Sequence, residues 1–444
     1  MNMNSRTPAD LRPAIPGIPD QVARRGDYLS REQVLELLGI KRQTLYAYVS
    51  RGYIRSVTHP DGRSSFYVRE DVDRVRSRSA TRSGCGLVAA GTLRGGEPVV
   101  ATGITEITAA GPAYRGRTAS ALARARVPFE NVAEFLWSGD LTEEAIAWNK
   151  QSDPPGFARL LGTANHLHEG AHVVQIMSVA VLALGIAKGM RRERIRAGQT
   201  PVGMARSLIR TQTGVLGFLG QEKRYAPLQD GETIAGAVAR LLGIPGENAK
   251  IDALNRALVI VADHELNPAT FAARVAASGS SDLHSCIGAA LSTHYGTLVG
   301  RACDRVEALF EPPASPDDVL KRVRHMLDAA LSLPGFDHPL YPRGDPRARY
   351  LIELSLAIGG TRPMVRNMLM LLSRLEEDYG ILPRMEFGLV LLCRALGLPN
   401  RTASGVYALG RTAGWVAHVL EQRLAGFVIR PRAKYSLAIT EEAS

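Results

Sequence analysis

From Ala119 to Ala395 the apolar residues recur every three or four positions and rarely alternate in twos. That period belongs to helices with one buried face. The spacing predicts helices over Ala119 to Trp137, Leu141 to Trp148, Val173 to Gly189, Pro201 to Leu216, Gly231 to Leu242 and Ala249 to Asp263. More follow after Ser281, Asp317 and Asp345, and from Phe387 to Ala395. One piece, "PVVATGITEITAAGPAYRGR", is β-prone, and no 20–50-residue repeat is visible. The body of the chain is therefore mainly α.

At 444 residues the chain has room for two or three domains. No apolar run reaches the ~18 residues of a membrane span, and the proline-rich N-terminus lacks a signal core. Cys85, Cys286, Cys303 and Cys393 are scattered without a CxxC pair. Reduced thiols and a cytoplasmic protein are expected, with no metal site. "HEGAH", from His168 to His172, fits a zinc-peptidase pattern. It lacks an evident third ligand and has Gly170 at a helix start, so it reads as a solvated helix N-terminus.

Charge is uneven. Met1 to Cys85 holds 15 Lys/Arg and 9 Asp/Glu, a net +6 out of +11 overall, which favours an anionic partner for this end. Residues 27–80 have their own grammar, after a flexible 1–26. Ser30 and Gln33 form a capping-box pattern before Val34, Leu35, Leu37 and Leu38, and Gly39 ends that helix. A second helix starts near Lys41, with Leu45, Tyr48 and Val49 inward and Arg42, Gln43, Thr44 and Tyr46 near its outward N-terminal face. Two short helices around a glycine turn read as a helix-turn-helix, whose second helix would place Lys41, Arg42, Gln43, Thr44 and Tyr46 against DNA. Ile54 to Val68, broken by Pro60-Asp61-Gly62, reads as a hairpin wing, and Glu70 to Arg78 as a closing helix. The module resembles those of the excisionase and MerR-like kind. "RVRSRSATRSGCG" is the linker to the body.

Within the body, "ADHELNPATFAAR" poses a problem. Asp263, His264 and Glu265 come directly after the mostly apolar stretch Ile251 to Val261. Buried charge is costly unless paired, so either the chain turns abruptly into water or these residues belong to a site. Three later segments share their chemistry: "LPGFDHPLYPRGDPRARY", "PRMEFGLVLLCRALGLP" and "GRTAGWVAHVLEQRLAGFVIRPRAKY". Together, in this order, they resemble the citrate synthase family. "ITEITAAGPAYRGR" and "FENVAEFLWSGDL" extend the resemblance to about residues 86–435.

The resemblance implies an acyltransferase that condenses acetyl-CoA, or another short acyl-CoA, with oxaloacetate to give citrate and free CoA. It needs no cofactor beyond that acyl-CoA co-substrate. It implies a large helical domain, about 86–300 plus 398–444, and a small one, about 301–397, with a cleft that closes by hinge motion. By position, His264 matches the substrate-binding histidine and His338 the one that polarises the ketone. Arg347, Arg411 and Arg430 match the carboxylate clamp, and Glu386 stands at the catalytic aspartate. The last arginine reaches across a two-fold interface in the family, so a homodimer is implied.

Three positions depart from the pattern. Glu386 replaces the aspartate, and its extra methylene displaces the carboxylate, a kind of misplacement that can cost on the order of 10² in rate. "GTLVGRACD" puts Val299 where the family holds the thioester carbonyl with a histidine, and Arg301 replaces a glycine. Losing one such donor costs ~10²–10³ in rate, so slow or altered turnover is expected. His294 could substitute only through a remodelled loop. Arg343 could meet a coenzyme A phosphate or be a solvated loop charge. The alternative is a dicarboxylate-sensing DNA-binding regulator on a degenerate enzyme. A third is a regulatory subunit that pairs with an active paralogue.

Overall fold

A computed structural model of the chain describes residues 28–38, 40, 42, 45, 46, 49, 54, 56–58, 65–69, 71, 72, 100–148, 154, 156–164, 171–187, 200–244, 246–311, 315–329 and 331–431. The chain divides into two compact units, Met1–Ala101 with Arg432–Ser444, and Thr102–Pro431.

In the first unit, α1 (Arg31–Leu38) begins with a reciprocal cap. Ser30 N donates to Gln33 Oε1 at 2.8 Å and Gln33 N donates to Ser30 Oγ at 3.3 Å. This satisfies two amides that a helix start otherwise leaves open. Strands β1 (Tyr28–Leu29), β2 (Ser56–Thr58) and β3 (Ser65–Val68) pair antiparallel in the order β1-β3-β2. Leu29, Val34, Leu45, Ile54, Tyr67 and Val72 form a small separate core. Arg42, Leu45, Tyr46 and Val49 are helical, with Leu45 buried and Arg42 and Tyr46 exposed. Lys41, Gln43, Thr44, the turn at 60–62, and most of the expected closing helix and linker lie outside the described residues.

The second unit opens with a meander of β4 (Thr105–Thr108), β5 (Gly111–Tyr114) and β6 (Arg117–Thr118), as the β-prone composition predicted. The helix expected over Ala119 to Trp137 is two, α2 (Ala119–Arg124) and α3 (Phe129–Ser138). Pro128 separates them, because proline disfavours helix in the residue before it. The helix expected over Leu141 to Trp148 does not form. Its backbone polar groups go to tertiary partners instead. Asn131 Nδ2 donates to the carbonyls of Thr142 and Glu144, and Asn131 Oδ1 accepts from Ile146 N. Trp148 is pinned at both ends, its indole donating to Glu134 and its carbonyl accepting from Arg210.

Helices make up the rest: α4 (Phe157–Ala164), α5 (Val173–Ala187), α6 (Pro201–Val215), α7 (Ile234–Leu241), α8 (Asn248–Ile260), α9 (Pro268–Ser278), α10 (Leu283–His294), α11 (Ala302–Leu309), α12 (Pro316–Asp328), α13 (Pro346–Gly359), α14 (Pro363–Tyr379), α15 (Met385–Leu396) and α16 (Thr402–Ala425). The expected periodic stretches match these within a few residues at each end. The long α16 is buried without interruption from Thr402 to Val419, and α3, α6, α8, α9 and α10 pack around it. A helix buried all round needs small residues where neighbouring backbones approach it and partners for its polar ones. Gly410 and Gly414 meet the first demand. A side chain at Gly410 would press on Val261 and the Leu258 carbonyl, and one at Gly414 would overlap Asp263 and the Ala262 carbonyl. The C-terminal end of α8 thus lies directly on the α16 backbone. No helix among the described residues is long and apolar enough to cross a membrane.

Candidate active site

The close approach of α8 to α16 answers the problem posed by Asp263 and His264. Both are buried, and neither enters water. Burial pushes the Asp263 pKa up, but His418, with Nε2 at 3.2 Å from Oδ2, and nearby Arg411 reverse this and hold the carboxyl below its ordinary range. The Asp263 amide meets the Tyr114 hydroxyl at 3.2 Å, and Gly414 N donates to the Ala262 carbonyl at 3.0 Å. Asp263 therefore anchors the turn, and the turn presents His264. The His264 ring sits 3.0 Å, Nε2 to Oη, from Tyr341 and 5.3 Å, centre to centre, from the His338 ring.

His338 arrives on a separate loop. Asp337 N donates to Leu382 O and Arg384 N to Gly335 O, both at 2.8 Å, so residues 335–337 are stitched to the strand-like segment before α15. Gly335 has φ +80°, and a side chain there would strike Val306, which leaves glycine as the residue that fits. Burial, then Arg347, pushes the His338 pKa down to about 3. Burial, then Arg347 and Arg411, lowers His264 well below its ordinary value. Both rings are neutral. Leu340 N donates to His338 Nδ1 at 3.1 Å, so the neutral ring carries its proton on Nε2. His338 Nε2–H is a donor held ready for an acceptor.

Two arginines face this pair. Arg347, at the start of α13, is gripped side-on by Asp345, Nε to Oδ1 at 3.0 Å and Nη2 to Oδ2 at 2.8 Å. Burial opposes its charge, but Asp345 more than compensates and raises its pKa. Asp345 also caps α13 and accepts from Met385 N at 3.0 Å, so one carboxylate joins the starts of α13 and α15. Arg411, fully buried on α16, is held differently. Its Nε donates to the Val261 carbonyl at 2.8 Å, while Nη1 and Nη2 have no hydrogen-bond partner among the described residues. A buried guanidinium with two open nitrogens is an expensive arrangement unless an anion completes it.

Glu386 lies in the first turn of α15, buried, with Arg384 Nε 3.6 Å from its Oε2. That oxygen accepts no hydrogen bond among the described residues.

The comparisons with known proteins point one way. The citrate synthase C-terminal domain pattern matches residues 93–432. The chain belongs to the citrate synthase family. It is 28% identical over 278 residues to citrate synthase 2 of Bacillus subtilis, covering 60% of this chain and 73% of that one. It is 26% identical over 341 residues to 2-methylcitrate synthase of Mycobacterium tuberculosis, covering 72% and 84%. A citrate synthase from Thermoplasma acidophilum, solved as a ternary complex with carboxymethyl coenzyme A and oxaloacetate, shares the fold. The TM-score is 0.67 at 22% identity, over 78% of this chain and 96% of that one. Family and fold mark a citrate synthase-like enzyme.

Of the residues singled out by resemblance, His264, His338, Arg347, Arg411 and Glu386 come from four separate stretches to one place. Arg430 does not join them. It is exposed on the extended segment after α16, beside exposed Phe427 and Val428. Val299 is half-buried in the turn between α10 and α11 and carries no donor. His294 is buried edge-on against Tyr407 and Trp415, with ring centres 4.7 and 5.3 Å apart. Burial, then Arg411, lowers its pKa to about 3, both ring nitrogens lack hydrogen-bond partners among the described residues, and Gly300 lies against the ring. It is walled off rather than presented. Arg343 is exposed. In "HEGAH", His168 to Gly170 lie outside the described residues, and His172 is buried against Asp304 at 2.8 Å. The DNA-facing candidates Arg42 and Tyr46 belong to the other unit.

Sequence reasoning missed Tyr341 and Tyr407. Tyr341 bridges to His264 and stacks under Arg347, 5.5 Å from ring centre to Cζ. Nothing in the spacing marks it. Tyr407 was findable, since it precedes Arg411 by one helical turn.

Proposed function

We propose that this protein condenses a short acyl-CoA, acetyl-CoA or propionyl-CoA, with oxaloacetate and releases CoA by hydrolysing the product thioester. Arg411 carries the reading: a fully buried guanidinium with both Nη atoms open, beside two neutral histidines, wants a small dianion. Arg347 and Arg411 would hold the two carboxylates. Arg430 would complete the clamp from a second copy of the chain. Its exposed apolar flank supports that homodimer, as does a stripe of exposed Val179, Leu182 and Ile186 on one face of α5.

His338 Nε2–H polarises the ketone, making its carbon electrophilic. Glu386 takes a proton from the carbon next to the thioester carbonyl, and the resulting enolate attacks that ketone carbon. Water then cleaves the thioester. The large and small domains, 86–300 with 398–444 and 301–397, close over the substrates. The ligands named for the Thermoplasma protein suit this scheme. A thiol-release assay with acetyl-CoA and propionyl-CoA, at micromolar enzyme and saturating oxaloacetate, tests it. Oxaloacetate-dependent CoA release is expected, and its absence with both thioesters refutes the enzyme.

A second reading has its own support. The first unit has a folded core, a paired hairpin, and exposed Arg42 and Tyr46 on a helix. It would act as a winged helix-turn-helix, with Lys41, Gln43 and Thr44 alongside, bringing the enzyme to DNA as a dicarboxylate-responsive regulator. Salt-dependent DNA binding that shifts with oxaloacetate is expected. Identical affinity with and without the diacid would exclude the coupling.

A further inference from the structure

Tyr407 and Arg411 are four residues apart on α16 and so share one face. The Arg411 guanidinium lies 5.0 Å over the Tyr407 ring. His294 packs against the same ring in a T-shaped contact, at 81° with ring centres 4.7 Å apart. The phenol is thus packed against both a cation and an imidazole. Its hydroxyl stands in the electrostatic field of Arg411, Glu386 and Arg347, the groups proposed to bind the diacid and move the proton. It makes no hydrogen bond among the described residues, yet it is not one of the atoms sealed from solvent. Burial raises its pKa, so it stays a donor across the working range.

We propose that Tyr407 is a catalytic residue whose Oη–H donates to the thioester carbonyl oxygen during enolisation, the task for which Val299 offers no group. The inference rests on the condensing reaction proposed above. When Glu386 takes the methyl proton, the C–H electron pair becomes the new carbon–carbon π bond and the carbonyl π pair moves onto oxygen. That oxygen receives the Tyr407 hydrogen bond, and Tyr407 keeps its proton. When the enolate carbon attacks the ketone, the carbonyl reforms and the hydrogen bond weakens. A donor that binds the developing charge more strongly than the ground state accelerates this step.

Tyr407→Phe keeps the ring, the cation contact and the His294 packing, and removes only the hydroxyl. Three measurements are needed on wild type and variant: CoA release, oxaloacetate-dependent exchange of acetyl-CoA methyl protons in D2O, and calorimetric oxaloacetate affinity. Release and exchange are expected to fall ~10²–10³-fold, with oxaloacetate affinity unchanged. Wild-type release and exchange in the variant would overturn the role of Tyr407 and leave the enzyme reading standing. A loss confined to oxaloacetate affinity would also overturn it, since the hydroxyl would then serve the diacid. A wild-type protein that neither releases CoA nor exchanges methyl protons would remove the underlying reaction and this inference with it.

Discussion

The two halves of the site are braced differently. On the diacid side nearly every group is held by a second one: Arg347 by Asp345, His264 by Tyr341, His338 by the Leu340 amide, and the turn bearing His264 by the Asp263–His418 pair. On the side proposed for the thioester, Glu386 Oε2 and Tyr407 Oη make no hydrogen bond among the described residues, and Val299 has no side-chain donor. Arg411 belongs to both, tied at Nε and open at Nη. Clamping a dianion requires charges fixed before the ligand arrives, so that its binding costs no reorganisation. Moving a proton requires groups whose hydrogen bonds are not yet committed. The bracing on one side and its absence on the other suit the two tasks proposed for them.

Glu386→Gln separates the halves most sharply. Without the base, CoA release is expected to fall ~10²–10⁴-fold while calorimetric oxaloacetate affinity stays put. Loss of affinity would show that the division is false. Arg411→Met attacks the other side. Truncating one partner of a buried charge pair costs about 2–5 kcal/mol, so oxaloacetate affinity should fall at least 30-fold or so. The ligand-free protein should melt no lower than wild type, because a buried uncompensated cation has gone. A large drop in its melting temperature would mean that Arg411 is a structural group.

Gly414→Ala probes the bracing itself. The methyl group would overlap Asp263 and Ala262 and force α8 away from α16, at ~1–3 kcal/mol of stability. Denaturant unfolding and oxaloacetate affinity should both weaken, the second through displaced His264. A further test concerns pH. His294 titrates at about 3 when folded, against an unfolded value near 6.5. A depressed folded pKa means that the unfolded chain binds the proton first, so the stability this group supports is present above pH ~6.5 and is lost as pH falls toward 3. His294→Leu should flatten the stability–pH slope by about one proton between those limits. An unchanged slope would mean that the ring is not held neutral.

Much of the fold was legible because helical periodicity is local. The expected starts of α6 and α13 hold because Pro201 and Pro346, with the capping side chains of Thr200 and Asp345, act within one turn. The break at Pro128 was equally local and was passed over because the flanking apolar spacing continues across it. The failure at 141–148 was of another kind. No inspection of that stretch shows that Asn131, a full helix earlier, takes its carbonyls and an amide. The site divides in the same way. His264, His338, Arg347, Arg411 and Glu386 match marked positions of recognisable words, whereas Tyr341 lies inside the word that carries His338 and Arg347 without being one of its marks.

By itself the sequence determined the residue types and their order: a mainly helical chain, arginines and histidines in family spacing, a valine where a donor was expected, and glycines at 410 and 414. These are properties of short segments, set by propensity and pattern within a few residues. Only the tertiary structure decided that Arg411 would be buried with two nitrogens open, that His294 would be walled off, and that Tyr407 would lie against both. Each depends on which distant surfaces press together, and burial sets what a polar group does by removing the water that would otherwise satisfy it.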